Sequence, residues 1–297
     1  MNMPDNLRGA LTVMAAMAAF TLNDALMKSI SDMVPLFQQA FLRGVLTTTI
    51  VAVWAARAGA FAQKLSRSDR RLVLARSLSE VGAAYFFLTA LFNMPLANVT
   101  AILQSLPLTV SLCAAIFLKE SLGWRRITAI LVGLVGVMMI IRPGTDAFSV
   151  HSLYALIAVA MVTIRDLTTR KLSKDTPSLL VTVSASFGVT LFFGLGSIGT
   201  DWVPLTAFSA SIIVAAAGVI LVGYLLSVMM MRVGDVGFIA PFRYTGLIWA
   251  LALGWVMFGD WPDPITLVGA GIVACSGIFM LYRESQFANA AKRPADE

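Results

Sequence analysis

Ten apolar runs of helical length constrain the fold of this sequence more than any other feature. They lie near residues 8–28, 35–56, 72–92, 96–118, 125–141, 150–170, 177–199, 208–231, 236–258 and 264–282. A helix needs about 20 apolar residues to cross a bilayer. Strands of a membrane barrel alternate apolar and polar residues, whereas segments such as Ile127–Ile141 and Ser211–Met231 are apolar on every face. The pattern therefore predicts an all-α integral membrane protein with ten transmembrane helices.

The composition indicates that lipid surrounds most of the chain. Of the 297 residues, 58% are hydrophobic and 13% are charged, and the mean hydropathy is +0.83. Soluble domains contain about 45–50% apolar and about 25% charged residues, so this chain has too few polar side chains to cover a soluble globule. The composition excludes a water-soluble enzyme. Connections of roughly nine residues also leave no room for a separate soluble domain.

Residue types that carry catalysis or bind metals are scarce. The single histidine is His151, and Cys113 and Cys275 lie in separate apolar runs without metal-ligand spacing. No G-x-x-x-x-G-K-[ST] loop for ATP hydrolysis occurs. The sequence thus predicts no enzyme activity, no metal and no cofactor. Any movement of a solute must be driven by a gradient or by exchange.

Basic residues segregate between the two sides of the predicted bundle. The loops on the side of both termini hold 16 lysines and arginines, and the opposite loops hold Lys28 and Arg142. Because positively charged loops stay in the cytoplasm, both termini are predicted to be cytoplasmic. This topology accounts for the net charge of +6, and no nucleic-acid partner is needed.

The second half of the sequence repeats features of the first. The matched pairs are Asp24 and Asp166, Lys28 and Arg170, Pro35 and Pro177, and Glu120 and Asp260. Each half holds five spans, and because five is odd the second copy must be inverted. We therefore predict a first repeat at 1–144, an inverted second repeat at 145–284 and a cytoplasmic tail at 285–297. Inverted repeats are typical of secondary transporters with a midplane binding site.

Several motifs of the sequence resemble a known family. They run from Pro95-Leu-Ala-Asn-Val-Thr through Pro107 to Phe117-Leu-Lys-Glu120, through Gly133-Leu-Val-Gly136 to Arg142-Pro-Gly144, and include Asn23-Asp24 and Phe41-Leu-Arg43-Gly44. This pattern resembles the ten-helix EamA-type branch of the drug/metabolite transporter superfamily over essentially the whole chain. The second half departs from it where Trp-Pro-Asp-Pro follows Asp260. The resemblance implies a permease of the bacterial inner membrane for a small organic metabolite.

Charged residues inside the predicted spans are candidates for the binding site, because ionisable groups in a bilayer are costly. Glu80, Arg243 and Arg43 are predicted at comparable depth in the third, ninth and second spans. One interpretation is a central cluster for the carboxylate and ammonium of a zwitterion, in which Glu80 meets Arg43 or Arg243 and is the best carboxylate to carry a proton. The alternative is a structural pair of Glu80 with Arg76, one turn earlier.

Further charged residues lie near the ends of two spans. Asp24 and Lys28 are toward the outer end of the first span, and Arg165 and Asp166 are toward the inner end of the sixth. One interpretation is a gate at each mouth, where a charged pair closes one side while its inverted counterpart opens the other. Interfacial charge pairs with no such role are the alternative.

Aromatic and amide side chains complete the candidate site. Tyr85, Tyr244 and Trp249 are candidates to line a cavity, where they favour a partly apolar, planar or aromatic substrate. The alternative is that they pack or face lipid. Gln104 is a candidate for a hydrogen bond to the substrate or between helices.

Together these features predict a secondary transporter that exports amphipathic or aromatic amino acids and related compounds. Uptake of riboflavin or another planar metabolite, and drug efflux, are the alternatives. A membrane enzyme or sensor is disfavoured, because no convergent set of titratable residues and no output domain is evident. The expected partners are a small-molecule substrate and the bilayer. Small residues of the last span, including Gly269 and Gly271, indicate helix packing or a homodimer face.

Overall fold

The computed structural model describes residues 5–62, 65–119, 123–145, 148–173, 175–230 and 236–292. These residues form helices and contain no strand. The helices are α1 (Asp5–Ser29), α2 (Leu36–Arg57), α3 (Arg67–Asn93), α4 (Leu96–Leu103), α5 (Leu106–Leu118), α6 (Trp124–Ile141), α7 (Val150–Arg170), α8 (Ser178–Gly196), α9 (Ala207–Met230), α10 (Val236–Ile239), α11 (Thr245–Phe258) and α12 (Pro264–Lys292). Short 3-10 helices cover Ala60–Ala62 and Ala240–Tyr244.

Within the described ranges, nine segments are long and apolar enough to cross a membrane. This result confirms the prediction of a multi-pass helical membrane protein. The segment missing from the ten predicted spans is 236–258, which is not one continuous helix. Glu120, the proposed counterpart of Asp260, lies outside the described residues.

Two predicted spans are interrupted, and both interruptions lie next to a proline. The span 96–118 still counts as one membrane-crossing segment, but it divides into α4 and α5 at Gln104 and Ser105. The span 236–258 divides into α10, the 3-10 helix and α11. Pro107 and Pro241 have no backbone N–H for the carbonyl four residues earlier. The segment 236–258 is therefore helical, but it does not form one continuous α-helix.

The largest apolar cluster joins several helices around α3 and α4. Its fully buried side chains include Leu88, Leu91, Leu96, Ile102 and Phe193. Large apolar side chains also cover the outside of the bundle, where Leu131, Ile198 and Val256 are more than half exposed. An exposed apolar surface of this kind is stable only in contact with lipid.

Polar side chains cap the helix ends outside the bilayer core. Asp263 precedes α12 and accepts hydrogen bonds from the backbone N–H groups of Ile265 and Thr266, at 3.0 and 3.1 Å. The Arg142 guanidinium at the end of α6 also donates to Asp263. Burial raises the pKa of Asp263, but the hydrogen bonds from Thr266 and Arg142 outweigh it and lower the pKa to about 2. The carboxylate therefore stays ionised at neutral pH and holds α6 to α12.

Helix α12 packs closely against α6 because two glycines face each other. A Cβ atom added to Gly269 would lie 2.7 Å from the Gly136 carbonyl oxygen, and one added to Gly136 would lie 2.7 Å from the Gly269 carbonyl oxygen. Gly271, two residues away on α12, has no atom within 4 Å of such a Cβ. The close approach at Gly269 is thus a contact within one copy of the chain.

We expect Gly269→Ala to destabilise the protein and Gly271→Ala to leave its stability unchanged or slightly raised. The added methyl group at position 269 forces α6 and α12 apart, at a cost of about 1–3 kcal/mol. At position 271 it enters open space and removes only the conformational penalty of glycine in a helix. Unfolding of the two variants in detergent measures the difference, and equal free energies of unfolding would contradict the close contact.

Candidate functional site

A network of charged side chains joins α3 to α7. The Arg165 guanidinium donates to both carboxylate oxygens of Glu80, at 3.3 and 3.4 Å, and to Asp166 Oδ1 at 2.8 Å. Arg76 lies 4.0 Å from Glu80 Oε2 and donates to Thr169 Oγ1 at 3.0 Å. Two arginines and two carboxylates therefore share their charges between neighbouring helices.

The partner of Glu80 differs from the sequence-based expectation. Glu80 forms its shorter ion pair with Arg165 and a longer one with Arg76, rather than pairing with Arg43 or Arg243. The physical reason is helix adjacency, because α7 packs along α3 and presents Arg165 at the level of Glu80. The alternative pair with Arg76 does form, as the second of the two contacts.

A second polar group joins α1 to α2. The buried amide of Asn23 donates to Asp24 Oδ1 at 2.9 Å and accepts from Arg43 Nη1 at 3.0 Å. Asn23 therefore bridges a carboxylate and a guanidinium that are not themselves in ion-pair contact. The sequence analysis noted the Asn23-Asp24 pair only as part of a family motif. A polar amide beside an intramembrane acid was the signal available.

Lys28 does not pair with Asp24, so the expected charged pair at this mouth is not formed. Its ammonium donates to the carbonyls of Leu91 and Met94, at 2.9 and 2.8 Å, and lies 5.6 Å from the centre of the Phe258 ring. The last carbonyls of a helix have no partner within the helix. Lys28 satisfies two of them at the end of α3, which explains why it turns away from Asp24.

Tyr224 of α9 lies between the two polar groups. The residue is 43% exposed, and charged groups from four other helices act on it. They are Asp24 of α1, Arg43 of α2, Glu80 of α3 and Arg165 of α7. The phenol therefore faces the polar interior of the bundle.

Tyr224 was not among the candidates predicted from the sequence. The signal that was available is its phenol hydroxyl, a polar group deep in an apolar run. Phe20 of α1 packs edge-on against its ring, with 5.7 Å between centroids.

Arg243 projects from the 3-10 helix that interrupts the predicted ninth span. Its side chain is exposed, and Asp166 and Arg165 of α7 act on its charge. Among the described residues, no carboxylate lies within ion-pair distance of Arg243. The backbone carbonyl of Arg243 accepts from Gln104 Nε2 at 3.5 Å. Gln104 thus joins the two interruptions, and the Arg243 guanidinium remains open to a ligand.

The three aromatic candidates occupy different environments. Tyr244 is 5% exposed, and its hydroxyl is directed at Gly277 of α12 with no hydrogen-bond partner in the described part of the chain. Tyr85 packs in an aromatic cluster, with ring centroids 6.1 Å from Phe37 and 5.8 Å from Phe192. Trp249 on α11 is 37% exposed. Tyr85 and Tyr244 therefore occupy the packing role that the sequence analysis gave as the alternative.

A bundle of membrane-crossing helices with an open arginine and opposing carboxylates inside defines a membrane transporter as the class of protein. The family model described as the EamA-like transporter family matches residues 7–142. This part of the chain is therefore similar to the EamA-like transporter family.

Three curated relatives carry transporter names. An S-adenosylmethionine uptake transporter of Rickettsia bellii is 25% identical over 266 residues, covering 89% of this chain and 90% of the relative. The pseudopaline exporter CntI of Pseudomonas aeruginosa is 26% identical over 280 residues, covering 90% and 94%. A riboflavin transporter of Vibrio cholerae is 27% identical over 212 residues, covering 70% of each chain.

One solved crystal structure shares the fold of this chain. The two superpose with a TM-score of 0.62 at 18% sequence identity, over 96% of this chain and 99% of the other. At this identity the likeness concerns the fold alone.

Double-mutant cycles test the partner of Glu80. We expect Glu80→Gln and Arg165→Gln to be coupled by about 1–3 kcal/mol in the free energy of unfolding, because each removes one side of the same ion pair. The matched cycle combines Glu80→Gln with Arg43→Gln and is expected to show coupling below about 0.5 kcal/mol. A larger coupling energy for Glu80 with Arg43 than for Glu80 with Arg165 would instead support the Glu80–Arg43 pair expected from the sequence.

Proposed function

We propose that this chain is a secondary transporter that exports amphipathic or aromatic amino acids and related zwitterions across the bacterial inner membrane. The observation that carries the proposal is the exposed Arg243 guanidinium, which has no ion-pair partner in the described part of a bundle whose interior also holds carboxylates. A charged group without a partner is costly at this depth. Its cost is offset when a ligand supplies the opposite charge.

The proposed cavity offers partners for both charges of an amino acid. A guanidinium binds a carboxylate with two parallel hydrogen bonds, and Arg243 has no ion-pair partner among the described residues. Asp166 of α7 acts on the same guanidinium, and Asp24 of α1 acts on Tyr224. Either carboxylate suits the ammonium group. The exposed faces of Tyr224 and Trp249 suit an apolar or aromatic side chain.

We further propose ten spans in two inverted halves that alternate access to this cavity, with both termini in the cytoplasm. The neighbour relations support this: α3 packs on α7 as α1 packs on α9, and α2 packs on α8 as α6 packs on α12. In the proposed halves α1 corresponds to α7, α2 to α8, α3 to α9 and α6 to α12. If each helix is exchanged for its counterpart, the same neighbouring pairs result. The family model ends at residue 142, close to the predicted end of the first repeat at 144. Interrupted helices that meet near a central site are typical of such transporters.

The second candidate function is transport of a larger planar metabolite. It is favoured by the relatives named as transporters of S-adenosylmethionine and riboflavin. S-adenosylmethionine, as its name states, joins an amino acid to adenosine, so it presents the zwitterion that Arg243 suits together with a planar ring. Riboflavin would use the aromatic faces alone.

Counterflow in proteoliposomes tests the proposal without knowledge of the coupling ion. Vesicles loaded with unlabelled phenylalanine are given external labelled phenylalanine, with phenylalanine or phenylalanine amide as competitor. The amide lacks the carboxylate. In the unmodified protein we therefore expect inhibition of counterflow to need an amide concentration at least about tenfold higher than that of phenylalanine, as for one lost hydrogen bond to a charged group. In Arg243→Gln the two competitors should become nearly equal.

The matched control is Arg57→Gln, which removes a basic group at the end of α2, outside the cavity. It should keep the preference for phenylalanine over its amide. A preference that survives in Arg243→Gln would exclude Arg243 from the site. Counterflow of riboflavin, without counterflow of any amino acid or of S-adenosylmethionine, would replace the first candidate by the second.

A further inference from the structure

An apolar groove lies on the outside of the bundle, between α6 and α12, far from the polar network of α3 and α7. Its floor and walls are formed by Ala129, Val132, Ser276 and Phe279, together with the thiol-bearing Cys275. Val132 and Phe279 are both nearly half exposed, and Cys275 is exposed. The groove therefore opens toward the surrounding bilayer and presents an apolar surface to it.

One end of this groove carries a positive charge. Trp124 and Arg125 form its mouth in the first turn of α6, and the Arg125 guanidinium lies 5.3 Å from the centre of the Trp124 ring. Among the described residues, no carboxylate is within ion-pair distance of Arg125. The predicted topology places this end on the cytoplasmic side. Tryptophan and arginine together are typical of the headgroup level of a membrane.

We propose that the groove between α6 and α12 binds one anionic phospholipid of the cytoplasmic leaflet. An acyl chain lies along the apolar wall past Cys275, and the Arg125 guanidinium binds the headgroup phosphate. Charge and polarity change along the groove in the same order as along a phospholipid, from a charged head to an apolar tail. This inference does not depend on the identity of the transported substrate.

The shape and charge of the groove favour a lipid over a second copy of this chain. Two copies meeting through this face about a twofold axis would bring two groove mouths to one interface, each with an arginine that has no carboxylate partner among the described residues. Like charges buried together in an interface are unfavourable. A phosphate, by contrast, neutralises the guanidinium with charge-assisted hydrogen bonds.

The test uses Cys275 as a reporter in the groove. In a Cys113→Ser background, an environment-sensitive fluorophore is attached to Cys275 and the full-length protein is reconstituted into vesicles. Quenching by phosphatidylglycerol with brominated acyl chains is then compared with quenching by brominated phosphatidylcholine. We expect phosphatidylglycerol to quench about fivefold more effectively per lipid, which corresponds to the attraction of one basic side chain for an anionic membrane surface.

Arg125→Ala should bring the two lipids to equal quenching, while Arg57→Ala, which removes a basic group elsewhere on the same predicted side, should leave the preference intact. If both variants lost the preference for phosphatidylglycerol equally, the preference would be a general charge effect and the proposed lipid site would be refuted. A Cys275–Cys275 crosslink between copies at high dilution in lipid, without any lipid preference, would assign the groove to a homodimer instead. Unquenched fluorescence with both lipids would also refute the proposal.

Discussion

The arrangement of the bundle interior depends on the cost of placing charge in a medium without water. Each ionisable side chain in such a medium needs a partner from the protein. Glu80 and Asp166 share Arg165, Asp24 and Arg43 share Asn23, and Lys28 takes two backbone carbonyls. These contacts tie α3 to α7, α1 to α2 and α1 to the end of α3. The Arg243 guanidinium, with no ion-pair partner among the described residues, lies in the interior space that these helices enclose.

Proline adds the second constraint, because it interrupts helices where a bilayer would otherwise favour unbroken ones. Pro107 and Pro241 lie beside the two interruptions, and Gln104 reaches from one interruption to the carbonyl of Arg243 at the other. Non-helical backbone at membrane depth is tolerated only where protein or a water-filled cavity covers it. The Gln104 contact therefore joins the two interruptions, and the second of them carries Arg243, whose charge interacts with Asp166 of α7.

The sequence was sufficient to predict the class of fold and the family, since long apolar runs and a few motifs carry that information. Helical rise converts position in the chain into depth, so the comparable depths of Glu80, Arg243 and Arg43 stay a prediction. The sequence could not predict that Glu80 pairs with Arg165, since depth does not say which helices are neighbours. Lys28 binds backbone carbonyls, which no residue pattern reveals. Tyr224 was overlooked because its phenol hydroxyl is one of five in the sequence, and the charged groups that act on it come from four other helices.

The Asn23 amide has a consequence for how the first two helices move. Its nitrogen faces Asp24 and its oxygen faces Arg43, so the amide is oriented and its two ends are not interchangeable. The two helices pack mainly on other helices, α1 on α9 and α11 and α2 on α8. The Asn23 amide is therefore a polar link between helices whose main neighbours differ. A shift of α1 relative to α2 by one helical turn, about 5.4 Å, breaks the bond of the amide to Arg43.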